Sequence, residues 1–397
     1  MDTQLRIATS DPVDRLHHLG SLRKHPQLAW RGYLKSPFDE ACFKDIDALV
    51  VTDEYYLPNR LALAACKRLG IPSFHIVDGI MEWRNLFENP RSIDPKQGTP
   101  LFQPLLADYT FAMGSEQAEA LRWLGNSSVF ATGLPRFDDL DRRNCRIGPS
   151  ANPEILIASA NTPWFSAEQE STFRGVYDHL PGVLDIARDT LSTPFAVRWR
   201  VAACLQDSVA DLPKSQGTAA EALDSCSALI STPSSLVVEA MILGIPTLVL
   251  DPYAVPALTP AAWSANDAAT ASSMLGDLLA PSPQRASFQD WIRDRVTTST
   301  PSASDSIARF ICDASRSGSV PPAWNVNEPS TSSKTAPNIQ NQSRALEALA
   351  LTLPALDAKL AEQEATIQRL EAEIHERRRK RSWGSKMRAK LFRKTKP

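Results

Sequence analysis

Residues 231–251 read Ser231-Thr-Pro-Ser-Ser-Leu-Val-Val-Glu-Ala-Met-Ile-Leu-Gly-Ile-Pro-Thr-Leu-Val-Leu-Asp251. A β-branched run ends at Ser231, a hydroxyl-rich turn follows, and an apolar helix starts near Ser235. Gly244-Ile245-Pro246 breaks that helix before the next apolar run, Thr247–Leu250. Strand, turn, helix, turn and strand at this spacing make a βαβ unit with parallel strands. The first-turn amides, with the hydroxyls of Thr232, Ser234 and Ser235, form a donor nest suited to a diphosphate and aided by the helix dipole. Glu239 is the only charge between Asp224 and Asp251, one helical turn beyond Ser235 on the same face. Burying a carboxylate unpaired costs several kcal/mol, so it needs a partner, and ribose hydroxyls beside a diphosphate would serve. The competing reading is plainer: the serines cap the helix and Glu239 faces solvent.

The same alternation extends in both directions. Toward the N-terminus, strands are expected at Leu5–Thr9, Ala48–Thr52, Ser73–Val77, Tyr109–Met113 and Val129–Thr132, with helices over Asn59–Leu69 and Glu116–Leu124. Glu154–Ala158, Phe195–Arg200, Ala228–Ser231 and Thr247–Leu250 form a second set, closed by a helix over Ser304–Cys312. The loop Arg142–Pro153 reads as a hinge between them. The expectation is an α/β chain of two Rossmann-like domains facing a cleft, residues 1–145 for an acceptor and 150–314 for a donor.

Length and composition agree with two domains. The chain has 397 residues, 43% hydrophobic and 22% charged, which excludes wholesale disorder. Its net charge of −2 hides a split, because 11 of the 43 Lys and Arg and none of the 45 acids fall in Arg377–Pro397. An acidic body excludes nucleic acid as its partner and moves any polyanion or membrane contact onto the tail. The six cysteines are scattered without a C-x-x-C pair, so neither zinc nor a disulfide framework is expected. With no signal peptide and no spanning apolar run, the expected location is the cytoplasm, with peripheral contact at the inner face of the cell membrane.

Beyond the body, residues 315–343 are rich in Ser, Pro, Asn and Thr and read as a disordered linker. Residues 344–376 follow as a coiled-coil helix: Leu349, Leu353, Leu356, Leu360, Gln363, Ile367, Leu370 and Ile374 alternate at spacings of four and three. This 349–374 seam predicts a homo-oligomer. The basic tail, 377–397, interleaves its cations with Trp383, Met387, Leu391 and Phe392, a pattern suited to an anionic membrane surface.

A second stretch with chemistry in it is His75-Ile-Val-Asp-Gly-Ile-Met-Glu-Trp-Arg-Asn85. Gly79 permits a tight turn and sets Asp78 at the carboxyl end of the sheet, where ligands of open α/β folds sit. Asp78 is the candidate base, with Glu82 and His75 as the other candidates, because a hydroxyl acceptor must lose a proton. Asp78 could equally cap the turn.

The 231–251 stretch resembles the nucleotide-sugar signature of two-Rossmann (GT-B) glycosyltransferases. The resemblance implies that Ser234 and Ser235 hold phosphates, Glu239 reads ribose and Gly244-Ile245-Pro246 leads into the next strand. The His75–Asn85 loop is similar to the H-G-x loop of CDP-glycerol glycerophosphotransferases of capsule and teichoic-acid synthesis, with Asp78 where that family has histidine. Thr132-Gly-Leu-Pro-Arg-Phe-Asp138 resembles a turn near the domain junction of the same enzymes. It implies a phosphate or junction contact at Gly133 and Arg136, although Arg136 could instead pair with Asp138 or Asp139. The resemblance also implies a donor-facing cation at Arg198 or Arg200 and a small polar contact at Asn161.

Together these imply a glycosyltransferase that moves a sugar from a nucleotide-sugar to a bacterial surface polysaccharide or lipid-linked glycan precursor. No cofactor is expected, and no metal, since no Asp-x-Asp motif stands at a strand end. The alternatives are a polyol-phosphate transferase or a nucleotide-sugar 2-epimerase on the same fold, and a non-catalytic scaffold.

Overall fold

The computed structural model describes residues 4–11, 13–33, 40–90, 101–253, 258–298 and 302–317. The expected coiled coil and basic tail, and the linker from residue 318 onward, lie outside the described residues.

The first half is a six-stranded parallel sheet of order β2-β1-β3-β4-β5-β6. Its strands are β1 (Leu5–Thr9), β2 (Leu28–Tyr33), β3 (Ala48–Val51), β4 (Ser73–Ile76), β5 (Tyr109–Ala112) and β6 (Val129–Ala131). The second half is a five-stranded parallel sheet of order β11-β10-β9-β7-β8. It is built from β7 (Glu154–Ala158), β8 (Ala196–Arg200), β9 (Ala228–Ser231), β10 (Thr247–Leu250) and β11 (Trp263–Ala265). Central strands such as Ala48-Leu-Val-Val51 and Ala228-Leu-Ile-Ser231 are buried along their whole length, as parallel strands covered on both faces must be. The two strands that the sequence reading missed, β2 and β11, are both edges. β2 carries Arg31 and Gly32 inside a weak run, and β11 is three residues long.

In each sheet the order reverses beside the first strand, between β1 and β3 and between β7 and β9. Reversal sends the two following connections to opposite faces and leaves a crevice at the carboxyl ends of the strands. The 3-10 stretch Val13–Lys24 and the turn into α1 (Leu57–Leu69) frame the first crevice. α6 (Ser235–Ile242), which follows β9, opens on the second. Between them in chain order lie α2 (Trp83–Phe87), α3 (Ser115–Trp123), α4 (Ala167–Thr190) and α5 (Ala219–Ser225). After α6 come α7 (Ala268–Ser273), α8 (Leu275–Leu279), α9 (Pro283–Val296) and α10 (Ala303–Ser317).

The chain passes between the halves twice, and each passage is hydrogen-bonded. The loop expected to be a hinge is strapped to the end of α6: Arg143 N–H donates to Ile242 O at 2.8 Å and Arg146 N–H to Gly244 O at 3.0 Å. Gly244 has φ +69°, and a Cβ there would run into the Asn144 carbonyl, so both conformation and contact require glycine. On the return, Thr298 N–H donates to Met113 O at 2.9 Å. The helix α10, expected to close the second half, lies against the first sheet instead. Ile307, Phe310, Ile311 and Ala314 supply its buried face at helical spacing. The Phe310 ring stands 4.8 Å from Phe130, 5.1 Å from Tyr109 and 5.2 Å from Phe111.

Gly244→Ala combines a left-handed backbone with a blocked approach of the strap. It is expected to lower unfolding stability by about 1–3 kcal/mol in urea titration, and an unchanged midpoint would show that the strap yields without cost.

Candidate active site

The second half supplies a helix start with donors to spare. Ser234 precedes α6 in extended conformation, but its side chain makes no capping bond; its Oγ lies 3.2 Å from Ser231 Oγ instead. An uncapped helix N-terminus keeps its amide donors available to an anion. Thr232 is spent on structure: its buried Oγ1 accepts the Ala160 N–H at 2.7 Å and knits the β7 and β9 turns together.

A cavity of about 600 Å³ opens in front of this turn. The second half lines it with Ser235, Glu239, Asn161, Arg200 and Lys214, and the first half with Arg136 and His17. Five of the residues singled out in the sequence, Ser235, Glu239, Asn161, Arg200 and Arg136, thus meet in one place. Glu239 neither faces open solvent nor caps the helix. Its Oε1 lies 3.7 Å from Arg136 Nη1, and burial raises its pKa while Arg136 and His17 hold it down.

Arg136 comes from the turn after β6, stacked at 4.8 Å over Phe137. Its Nε and Nη2 are buried without a hydrogen-bond partner. Burial lowers its pKa, opposed by Glu239 and Asp78. Asp138, its possible partner in the sequence reading, instead accepts the Ala303 and Ser304 amides at 2.7 and 2.8 Å and caps α10. Gly133, at φ +83°, turns the chain toward Arg136 but is not among the residues lining the cavity.

Asp78 stands at the carboxyl end of β4. The next residue, Gly79, faces α6 so closely that a Cβ there would lie 3.9 Å from Ser235 Cβ and 4.0 Å from Arg136 Nη2. Gln117 Nε2 donates to Gly79 O at 2.7 Å and fixes the loop. The Asp78 carboxylate accepts from Arg15 Nη1 at 3.0 Å. Burial raises its pKa, with Arg15 the first group opposing the shift.

Three sequence expectations need correction. His75, a candidate base, lies within β4 and is 1% exposed; its Nδ1 is 3.8 Å from Glu54 and burial pushes its pKa down to about 3. It is a neutral core side chain out of reach of the cleft. Glu82 pairs at 2.5 Å with Arg84 and belongs to a clasp between the halves, where burial lifts its pKa to about 7. Arg198 lies two residues short of the end of β8 and pairs with Glu154 and with Ser225 Oγ. Only Arg200 reaches the cavity.

The structure also supplies what the sequence reading lacked. His17 lies in a 3-10 stretch without apolar periodicity, and Lys214 in a segment that joins the edge of β8 through Ser215 N–H to Trp199 O at 2.9 Å. Neither carries a motif. Among the described residues no three His, Cys, Asp or Glu gather as a metal site, and no helix is long and apolar enough to cross a membrane.

The clasp joins Arg84 and Glu82 of the first half to Asp251 of the second. Arg84, 1% exposed, sends Nη1 to Asp251 Oδ1 at 2.5 Å and lies 5.2 and 5.4 Å from the Phe173 and Tyr253 ring centres. Removing one partner of a buried pair leaves the other uncompensated. Arg84→Met is therefore expected to cost about 3–5 kcal/mol in denaturant unfolding, more than an exposed pair such as Arg188–Asp185 would.

No protein-family model matches the chain, and no curated protein matches it in sequence. Solved structures match in fold. A protein assigned as a UDP-N-acetylglucosamine 2-epimerase from Listeria monocytogenes superposes with a TM-score of 0.54 at 12% identity, over 81% of this chain and 98% of that one. S. aureus MnaA, solved with UDP, gives 0.53 at 13% identity over 81% and 99%. The UDP-GlcNAc 2-epimerase from Neisseria meningitidis bound to UDP-GlcNAc gives 0.50 at 13% over 78% and 100%. The chain has the two-domain GT-B fold, with the cavity between its two Rossmann-like halves.

Proposed function

We propose that this protein is a nucleotide-sugar-dependent glycosyltransferase whose donor diphosphate sits at the start of α6. The observation that carries the reading is Arg136, a buried guanidinium with two nitrogens, Nε and Nη2, lacking partners, beside an uncapped helix N-terminus. Buried donors left unpaired are costly, and an anion between them removes that cost. Arg200 and Lys214 add positive charge on the second-half side of the cavity, while Glu239 and Asn161 offer hydrogen bonds to the ribose and sugar.

In the transfer step the acceptor oxygen bonds to the anomeric carbon as the bond from that carbon to the diphosphate oxygen breaks. The electron pair leaves with the nucleoside diphosphate, stabilised by the α6 amides and Arg136, a preorganised electrostatic role. The acceptor's proton goes to Asp78. These fixed cations supply the charge stabilisation, so the reading assigns no metal to the chemistry. A bacterial surface polysaccharide or lipid-linked precursor is the acceptor that suits the basic, aromatic sequence of residues 377–397, which would hold the enzyme at the inner face of the membrane.

A 2-epimerase acting on the same donor is the second reading, favoured by the UDP and UDP-GlcNAc in the structures of similar fold. It needs no acceptor, so conversion of donor alone into its epimer distinguishes it.

Calorimetric titration with UDP, GDP, CDP and CMP tests the reading. One diphosphate is expected to bind, with Arg136→Met weakening it about tenfold or more, the worth of one hydrogen bond to a charged group, and Ser234→Ala weakening it less. Affinity unchanged in both variants removes the donor site, and no binding of any nucleotide leaves the scaffold.

A chain ending at Ser343 is expected to bind nucleotide as the full chain does. It should also sediment as a monomer and lose its salt-sensitive binding to phosphatidylglycerol liposomes. Equal sedimentation and liposome binding by the two chains would remove the oligomer and the membrane contact together.

A further inference from the structure

We propose that Arg15 is a positioning residue for Asp78, holding its carboxylate beyond the end of β4 from an anchor provided by Asp53. The inference rests on the reading of Asp78 as the proton acceptor. One nitrogen, Arg15 Nη1, lies 2.8 Å from Asp53 Oδ2 and 3.0 Å from Asp78 Oδ2. Asp53 is buried and cannot swing: its Oδ1 accepts the Tyr55 and Tyr56 amides, both at 3.0 Å, where the chain enters α1. The order of constraint therefore runs from two backbone amides through Asp53 to Arg15, and from Arg15 to Asp78. Asp78 is the one member of the three that is followed by the glycine facing Ser235, and it retains 22% side-chain exposure against 3% for Asp53.

Every charged group near Asp78 bears on this arrangement. Arg15 comes from the 3-10 stretch, Asp53 and Tyr55 from the turn between β3 and α1, and Arg136 from the turn after β6. Asp11, near Asp53, has its own oxygens occupied by Thr52 N–H at 2.7 Å and Asn59 Nδ2 at 2.5 Å. Arg15 is thus the only cation that touches both Asp53 and Asp78 among the described residues. Without it, two carboxylates face each other in a poorly solvated crevice, and one must keep a proton to higher pH. Burial already lifts Asp53 to about 7 and raises Asp78. Losing Arg15 moves Asp78 further in the same direction, so its proton-accepting form appears only at higher pH.

The test follows UDP release from UDP-N-acetylglucosamine, with water as acceptor, across about pH 5 to 9. It compares the full-length protein with Arg15→Gln, Arg15→Lys and Asp78→Asn. In parallel, the Asp78 carboxyl carbon, identified by its loss in Asp78→Asn, is titrated by NMR in aspartate-labelled protein, which requires no turnover. Arg15→Gln is expected to shift both the acid limb and the Asp78 titration upward by about one pH unit or more. UDP affinity should stay within about twofold, and Arg15→Lys should restore most of the shift. An Asp78 titration unmoved in Arg15→Gln overturns the proposal. Near-normal UDP release by Asp78→Asn overturns the role of Asp78 and this inference with it, while leaving the nucleotide site standing on its calorimetry.

Discussion

Everything at the cleft depends on the two sheets being held with their carboxyl edges toward each other, and the chain achieves this by crossing twice and bonding each crossing. The first crossing is strapped to the end of α6 through backbone hydrogen bonds that only a glycine at 244 allows. The second ends in α10, whose first amides are capped by Asp138 of the first half and whose Phe310 sits in an aromatic cluster of the first sheet. Neither connection is a slack tether. The open ends of β4 and β9 are thereby brought near each other, so that a Cβ at Gly79 would reach van der Waals contact with Ser235.

Around that gap three arginines meet carboxylates supplied by other elements. Arg136 meets Glu239, Arg84 meets Asp251, and Arg15 meets both Asp53 and Asp78. The three pairs do different work because their geometry differs. Arg84 has short contacts on two sides and aromatic rings over its faces, which suits a fixed clasp. Arg136 is 3.7 Å from its partner and keeps Nε and Nη2 unsatisfied, which suits a site waiting for an anion. A buried pair made this loosely is poor value as a stabiliser, and that is the physical reason to seek its purpose in binding.

The sequence made the sheet legible because parallel strands are buried on both faces and stand out as apolar runs. The edges β2 and β11 lacked that signal. At the site, the turn at 231–235 and the helix carrying Glu239 could be read because donors and a lone charge sat in an otherwise apolar stretch. The misses concern side-chain surroundings, not strand bounds: His75 and Arg198 both lie inside strands that the sequence places. His75 is buried with the whole of β4, which its residue type alone does not show. Arg198 and Arg200 share a face of β8, so only distance from its end separates a sheet-edge pair from a cavity cation. His17, Arg15 and Lys214 were beyond reach because they come from 3-10 and edge segments, brought to the cleft by long-range packing without a local pattern.

The turn Gly133-Leu-Pro-Arg-Phe-Asp138 carries the same argument to a single motif. Pro135 lies so close to the 3-10 stretch that a side chain at Gly20 would strike its carbonyl, which brings the segment bearing Arg15 and His17 against this turn. Arg136 enters the cavity, Phe137 lies under its guanidinium, and Asp138 caps the returning helix. Three neighbouring requirements thus fall on consecutive residues, only one of which faces the ligand. A turn of this kind is specified by the need to join two halves as much as by chemistry. Of the three, only Arg136 carries charge into the cavity, so the chemistry of this turn rests on that one cation.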